Sequence, residues 1–114
     1  MDKVNILAIG RDKEILSIVV RLLNKEEAWV AKGVTTDEEA ITMFQQQDFD
    51  IVLFGGGISE KSEKKLRALF SHQSPDTSIV QHYGGGSGLL YTEIRQVLDQ
   101  RKSAYKINIQ DNIF

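Results

Sequence analysis

Hydrophobic residues along this chain fall into short runs that alternate with stretches of helical periodicity. Four of these runs are typical of β-strands, because they are too short for helices and end at turn-forming residues. They are Val4–Ile9, Ala28–Val34, Ile51–Phe54 and Ser78–Tyr83. Ile51–Phe54 is apolar at every position, which is typical of a strand buried on both faces at the centre of a parallel sheet.

The intervening stretches carry the start signals and the apolar spacing of helices. Asp12, Thr36 and Ser59 are each placed to cap a helix N-terminus. Thr36 also begins a capping box, which Glu39 completes. The last helical pattern, Leu89–Arg101, follows the glycine-rich loop Gly84–Gly88. The chain is therefore predicted to alternate strands with helices.

Composition and charge narrow the functions that this chain can have. A chain of 114 residues with 41% hydrophobic and 26% charged residues is predicted to form one domain, residues 1–114. Its formal net charge of −2, with positive charges spread among acidic ones, predicts no nucleic-acid or membrane surface. There is no cysteine, which excludes disulfides and cysteine-ligated metals. Because no apolar run is long enough to span a membrane or form a signal peptide, we expect a cytoplasmic protein.

Alternating strands and helices predict parallel βαβ units with helices on both faces of the sheet. The expected fold is an α/β three-layer sandwich of the flavodoxin-like type. Its parallel sheet has the strand order 2-1-3-4-5, in which Tyr105–Ile109 is the fifth strand. The ligand crevice of such a sheet lies at the carboxyl ends of the first and third strands, where the strand order reverses.

Over roughly its whole length the chain resembles the receiver domains of response regulators, the CheY-like family. The resemblance rests on the order and spacing of the elements and on the stretch Phe49-Asp50-Ile51-Val52-Leu53-Phe54. In that family an acidic pair follows the first strand and binds Mg²⁺, whereas this chain has Gly10 and Arg11. The phosphate-accepting aspartate after the third strand corresponds to Gly55, and the Ser or Thr after the fourth strand corresponds to Tyr83.

The resemblance therefore implies a pseudo-receiver in a two-component signalling context. We expect a phosphorylation-independent signalling or protein-interaction domain whose partner is another protein. With no reactive carboxylate in place, we expect no enzyme activity, no cofactor and no metal site.

The glycines suggest an alternative function. Eight of the nine follow the predicted first, third and fourth strands and so meet at one edge of the sheet. Successive backbone N–H groups of such loops can bind an anion, and Arg11 would add positive charge. The alternative is therefore a small-anion or nucleotide-binding module, although neither loop has a Walker or Rossmann spacing and tight turns alone also account for the glycines. The predicted pocket residues are Arg11, Asp12, Gly55, Gly56, Gly57, His82, Tyr83, Gly84, Gly85, Gly86, Ser87 and Gly88.

His82 is the one titratable group of acid–base interest at this edge. It is expected to pack and form hydrogen bonds, with its charge able to change near neutral pH. His72 belongs to the far end of the third helix, and the sequence pattern places no acidic partner beside His82.

The carboxyl-terminal stretch allows two interpretations. If Tyr105–Ile109 is the fifth strand, Leu89–Arg101 is the fourth helix and the last helix of the receiver fold is missing. Apolar surface beside the first helix would then be uncovered, and a homodimer formed through the tail, including Ile113 and Phe114, would cover it. In the other interpretation Leu89–Arg101 is the fifth helix, the fourth helix and fifth strand are deleted, and the tail is loose.

Overall fold

Strands and helices follow one another in strict alternation along the chain. The computed structural model describes residues 3–82 and 87–113, with side chains described for 3–82 and 88–101. The elements are β1 (Val4–Ile9), α1 (Lys13–Asn24), β2 (Trp29–Val34), α2 (Asp37–Gln46), β3 (Ile51–Phe54), α3 (Glu60–Gln73), β4 (Ser78–Gln81) and α4 (Ser87–Ile113).

The predicted helix starts are confirmed. The side chain of Asp12 accepts hydrogen bonds from the backbone N–H groups of Glu14 and Ile15. Thr36 accepts from the N–H of Glu39, and Ser59 from that of Ser62. Each cap satisfies backbone donors that the first turn of a helix leaves without a partner.

The strands form one parallel sheet in the order β2-β1-β3-β4. The predicted order is confirmed for these strands, and the prediction of five strands is wrong for the part of the chain that is described. Ile9 at the end of β1 is level with Val34 and Phe54, and Phe54 is level with Gln81. The carboxyl ends of all four strands therefore lie at one edge of the sheet.

Residues of each strand alternate between two apolar layers. Ile6 and Ala8 of β1 pack on the face covered by α1 and α4, whereas Leu7 and Ile9 pack on the face covered by α2 and α3. This alternation follows from the two-residue period of a strand. Trp29 at the start of β2 is buried on the α1 and α4 side.

Tyr105–Ile109 is helical, which corrects the prediction of a fifth strand. It lies inside α4, which continues without interruption from Ser87 to Ile113. The residues between Arg101 and Tyr105 include neither glycine nor proline, so no residue there ends the helix. The apolar alternation that suggested a strand is too short to outweigh this continuity.

α4 packs beside α1, in the place that the sequence analysis assigns to the fifth helix of a receiver. Leu90 and Ile94 join the same apolar cluster as Leu16 and Leu23 of α1. The Tyr91 hydroxyl also donates a hydrogen bond to the Leu22 carbonyl oxygen at 2.6 Å. The prediction that the last helix is missing is therefore wrong. In the described residues it is the fourth helix and the fifth strand of a receiver that have no counterpart.

Arg101 marks the point where α4 reaches the amino-terminal edge of the sheet. Its guanidinium donates to the carbonyl oxygens of Asp50 and Asp76, at 3.1 and 2.6 Å, and to the hydroxyl of Ser78 at 3.0 Å. Residues 102–113 continue the helix beyond this point. No helix in the described part of the chain has the length and hydropathy of a membrane span.

Candidate functional site

The carboxyl-terminal edge of the sheet brings three of the predicted site segments together. Backbone pairing continues one residue past each strand, because Gly10 N donates to Val34 O and Gly55 N donates to Ile9 O, at 3.1 and 2.7 Å. His82 N donates to Phe54 O at 2.8 Å. Gly10, Gly55 and His82 are therefore held in adjacent positions by the sheet itself.

A cleft of about 480 Å³ opens beside these residues, on the α1 face of the sheet. Its wall combines apolar side chains of β1, β3 and α1 with the loops after β1 and β3. The described residues that line it are Ala8, Ile9, Gly10, Arg11, Asp12, Ile15, Leu16, Val19, Leu53, Gly55, Gly56, Gly57 and His82.

Half of the predicted pocket residues lie at this cleft: Arg11, Asp12, Gly55, Gly56, Gly57 and His82. Gly88 is exposed in the first turn of α4 and is not part of the described wall. Tyr83, Gly84, Gly85 and Gly86 lie outside the described residues, as does the side chain of Ser87.

The Arg11 side chain forms hydrogen bonds with the loop after β2 and with the start of α2. Its guanidinium donates to Thr35 O at 2.7 Å and to Asp37 Oδ1 at 2.6 Å. Lys65 of α3 contacts the other carboxylate oxygen of Asp37 at 2.9 Å. The loop after β1 is thereby tied to the start of α2 and to α3, and the positive charge of Arg11 is compensated.

The Asp37 carboxylate is stabilised in its charged form by these contacts. The hydrogen bond from Arg11 lowers the pKa of Asp37 most, and burial acts in the opposite direction. Hydrogen bonds from Lys65 and Ser62 add to the lowering, so the pKa of Asp37 falls from 3.8 to about 2. Asp37 therefore stays ionised over the whole physiological pH range.

Asp12 is the acidic residue next to Arg11 in the loop, and its side chain caps the start of α1. Its Oδ1 accepts from Glu14 N at 2.9 Å and from Ile15 N at 3.1 Å. Among the described residues no group of three His, Asp or Glu side chains could hold a metal ion.

The glycines after β3 have two different structural roles. At Gly55 a Cβ would lie 3.2 Å from the Ile9 carbonyl oxygen, so any side chain there requires a small shift of β1. At Gly57 the backbone φ is +81°, a conformation that residues with a Cβ rarely adopt. A Cβ at Gly57 would also lie 3.3 Å from Cβ of Arg11.

His82 has an acidic partner that the sequence analysis did not foresee. Its Nδ1 lies 2.5 Å from Oε1 of Glu93, and the two side chains are 11% and 19% exposed. Glu93 lies on α4 between the buried residues Leu90 and Ile94, so its position depends on how α4 docks. In the sequence, Glu93 follows Leu90 at helical spacing and so lies near the same side of the helix. This spacing indicates a contact with His82 only when α4 is known to pack beside α1.

Neither a protein-family model nor a curated protein sequence matches the chain. Solved structures do match. The signal receiver domain of an HD domain-containing protein from Pseudomonas fluorescens Pf-5 has a TM-score of 0.77 at 16% identity, over 93% of this chain and 94% of that domain. A CheY-like response regulator receiver domain protein from Methanospirillum hungatei JF-1 has a TM-score of 0.67 at 15% identity, over 90% of this chain and 99% of that protein.

A third similar chain comes from the complex of histidine kinase ThkA with response regulator protein TrrA. Its TM-score is 0.64 at 17% identity, over 86% of this chain and 97% of that one. At these identities the likeness shows the fold. The chain has the α/β, CheY-like fold with a parallel sheet of four strands in the described residues.

Proposed function

We propose that this chain is a phosphorylation-independent receiver-like domain that acts in signalling by binding another protein. The observation that carries the proposal is Gly55 at the end of β3, where the resemblance places a phosphate-accepting aspartate. Gly55 has no side chain, and its N–H is bonded to Ile9 O at 2.7 Å. Among the described residues, the receiver fold is thus combined with a third strand that ends without a carboxylate.

The remaining carboxylates of this edge support the same proposal. Asp12 caps α1, and Asp37 is held by Arg11 and Lys65. Mg²⁺ requires several oxygen ligands in near-octahedral geometry. The oxygens of Asp12 and Asp37 already accept hydrogen bonds from the protein, so they do not form such a set. The described residues therefore supply neither the nucleophile nor the ion ligands that a metal-assisted phosphoryl transfer needs.

Exposed apolar residues of α1 support a protein partner. Ile15 is 61% exposed and Ile18 is 48% exposed, although both are large and hydrophobic. Such residues on one helix face are typical of a contact surface, since burying them against a partner is favourable. A homodimer and a cytoplasmic location stay predictions within this proposal.

A second candidate function, the binding of a small anion or nucleotide, rests on the position of Gly55, Gly56 and Gly57 at the cleft. The charge that was expected to assist it, that of Arg11, is paired with Asp37. An anion would therefore depend on backbone N–H groups alone among the described residues, which is a weaker attraction.

Treatment with acetyl phosphate or beryllofluoride in the presence of Mg²⁺ tests the first proposal. We expect no phosphoryl adduct by intact mass spectrometry and no change in the amide spectrum at Gly10, Gly55 or His82. A receiver domain that has its aspartate, treated in parallel, is the positive control. A stable aspartyl phosphate on any residue of this chain contradicts the proposal.

A further inference from the structure

We propose that the cleft on the α1 face binds a small, uncharged, largely apolar molecule that donates one hydrogen bond to Nε2 of His82. This ligand site goes beyond the proposed signalling function and does not depend on it. It also differs in ligand class from the anion site that the glycine loops suggest.

The wall of the cleft is apolar. Ala8 and Leu53 of the sheet form one side, and Leu16, Val19 and Ile15 of α1 form the other. The volume of about 480 Å³ lies within the range of small-molecule sites, which are mostly apolar with a few polar groups that orient the ligand. Binding of a bicyclic aromatic molecule would be favourable because it removes these apolar side chains from water.

The charges at the cleft favour an uncharged ligand over an anion. Arg11 directs its guanidinium to Asp37 and Thr35, so its charge is already compensated. Asp12 also lines the cleft, and its negative charge opposes the entry of an anion. The described wall therefore offers no net positive charge.

His82 supplies the polar group that would orient the ligand. In a neutral ring, the Glu93 carboxylate accepts a hydrogen bond from Nδ1, which makes Nδ1 the protonated nitrogen. Nε2 then has a lone pair and accepts. Within the described residues the hydrogen bonds of His82 use its Nδ1 and its backbone N–H, and none involves Nε2. His82 lines the cleft, so Nε2 is the nitrogen that we assign to the ligand.

Indole and benzofuran form a matched pair of probes, because they have the same shape but only indole has an N–H donor. We expect indole to bind the full chain with a dissociation constant of about 1 mM or lower. Benzofuran should bind about five- to tenfold more weakly, as expected for one lost hydrogen bond. Titrations followed by amide and methyl NMR shifts should locate both probes at Leu16, Val19, Leu53 and His82.

Substitutions on α1 test the apolar wall of the cleft. Val19→Phe fills the cleft and should weaken indole binding about tenfold or more, since its ring occupies the volume that the ligand needs. Ile18→Phe makes the same type of change on the neighbouring, exposed position and should leave the affinity unchanged. If Val19→Phe does not fold, Ile15→Gln at the exposed rim takes its place and should weaken both probes.

Glu93→Gln tests the role of the His82 tautomer. A glutamine amide can donate to Nδ1, which allows Nε2 to carry the proton and removes its preference for a donor. The preference for indole over benzofuran should then disappear. A merely structural role for Glu93 would change stability but not this ratio.

Three outcomes overturn the proposal. One is the absence of indole shifts at the cleft up to the solubility limit of the probe. The second is equal affinity for indole and benzofuran in the unmodified chain. The third is a response of the cleft residues to inorganic phosphate alone, which would support the anion-binding candidate instead. None of these results bears on phosphorylation, so they are distinguishable from failure of the proposed function.

Discussion

Arg11 and Asp37 form a structural connection at the carboxyl-terminal edge of the sheet. Arg11 follows β1 and Asp37 begins α2, and their side chains meet at 2.6 Å with Lys65 on the opposite side of the carboxylate. An acidic residue in the first turn also interacts favourably with the helix dipole. The three charges therefore hold β1, α2 and α3 together at the edge that forms the cleft.

The low pKa of Asp37 predicts a measurable dependence of stability on acid. Because the folded pKa is about 2 and the ordinary value is 3.8, the ion pair stabilises the fold above pH 4 and is lost as the pH falls through the folded value. We expect the free energy of unfolding to fall by about 1–2 kcal/mol from this group between pH 5 and 2, after allowance for solvent screening. Urea unfolding at several pH values measures it.

The matched variants are Asp37→Asn and Asp48→Asn. Asp37→Asn should be less stable at pH 7 and should lose this part of the acid dependence. Asp48 is exposed and lies outside the Arg11 contacts, so its variant should follow the unmodified chain. Identical acid profiles for the unmodified chain and Asp37→Asn would disprove the role of the pair.

At the residue scale, the sequence predicts those features that depend on residues close together in the chain. The caps at Asp12, Thr36 and Ser59 depend on neighbouring backbone. The meeting of Gly10 and Gly55 at one edge follows instead from the order of the parallel strands. The contacts of Arg11 with Asp37 and of His82 with Glu93 join residues from different elements. Their formation depends on the angle at which helices dock, which the pattern of single residues does not contain.

At the element scale, the outer face of α1 leads to a prediction about the partner. Ile18 is 48% exposed on α1, and Leu69 is 44% exposed on α3, on the opposite side of the sheet. If α1 is the contact surface, Ile18→Lys should abolish binding of the partner, since it places a charge in an apolar interface. Leu69→Lys introduces the same group at similar exposure and should have no effect.

Quantitative affinity capture from cells that contain the protein compares the two variants with the unmodified chain. The expected result is a protein retained by the unmodified chain and by Leu69→Lys but lost with Ile18→Lys. Equal capture by all three would exclude the α1 face, and selective loss with Leu69→Lys would move the interface to α3.

The elements themselves were largely predictable, and the exception is informative. Strands and helices up to Gln81 follow from short apolar runs, helical spacing and caps, each a local signal. The prediction of a strand at Tyr105–Ile109 is wrong because it rests on apolar residues that alternate over only a few positions. The helix that begins at Ser87 continues through this segment. Propagating a helix by one residue is much easier than starting a strand that needs a partner.

At the scale of the whole molecule, α4 changes the argument for a dimer. The apolar sheet face beside α1 is covered by Leu90 and Ile94, so it no longer requires a partner. Two features of the described fold could still pair with a second copy of the chain. They are the edge strand β4 and the part of α4 that continues past Arg101. A helical segment of this length is marginal in water without tertiary contacts, and in the sequence Tyr105, Ile109 and Ile113 recur at a spacing of four.

We therefore predict a homodimer that forms through residues 102–113, with two helices pairing along this repeat. Light scattering should give twice the mass of one chain for the full sequence and the mass of a monomer for a version that ends at Lys102. Ile109→Lys should dissociate the dimer because it interrupts the apolar repeat, whereas Asn108→Lys, one position away, should not. A full-length monomer, or a truncated chain of unchanged mass and melting temperature, would show that the helical extension does not associate and that the domain works as a single copy.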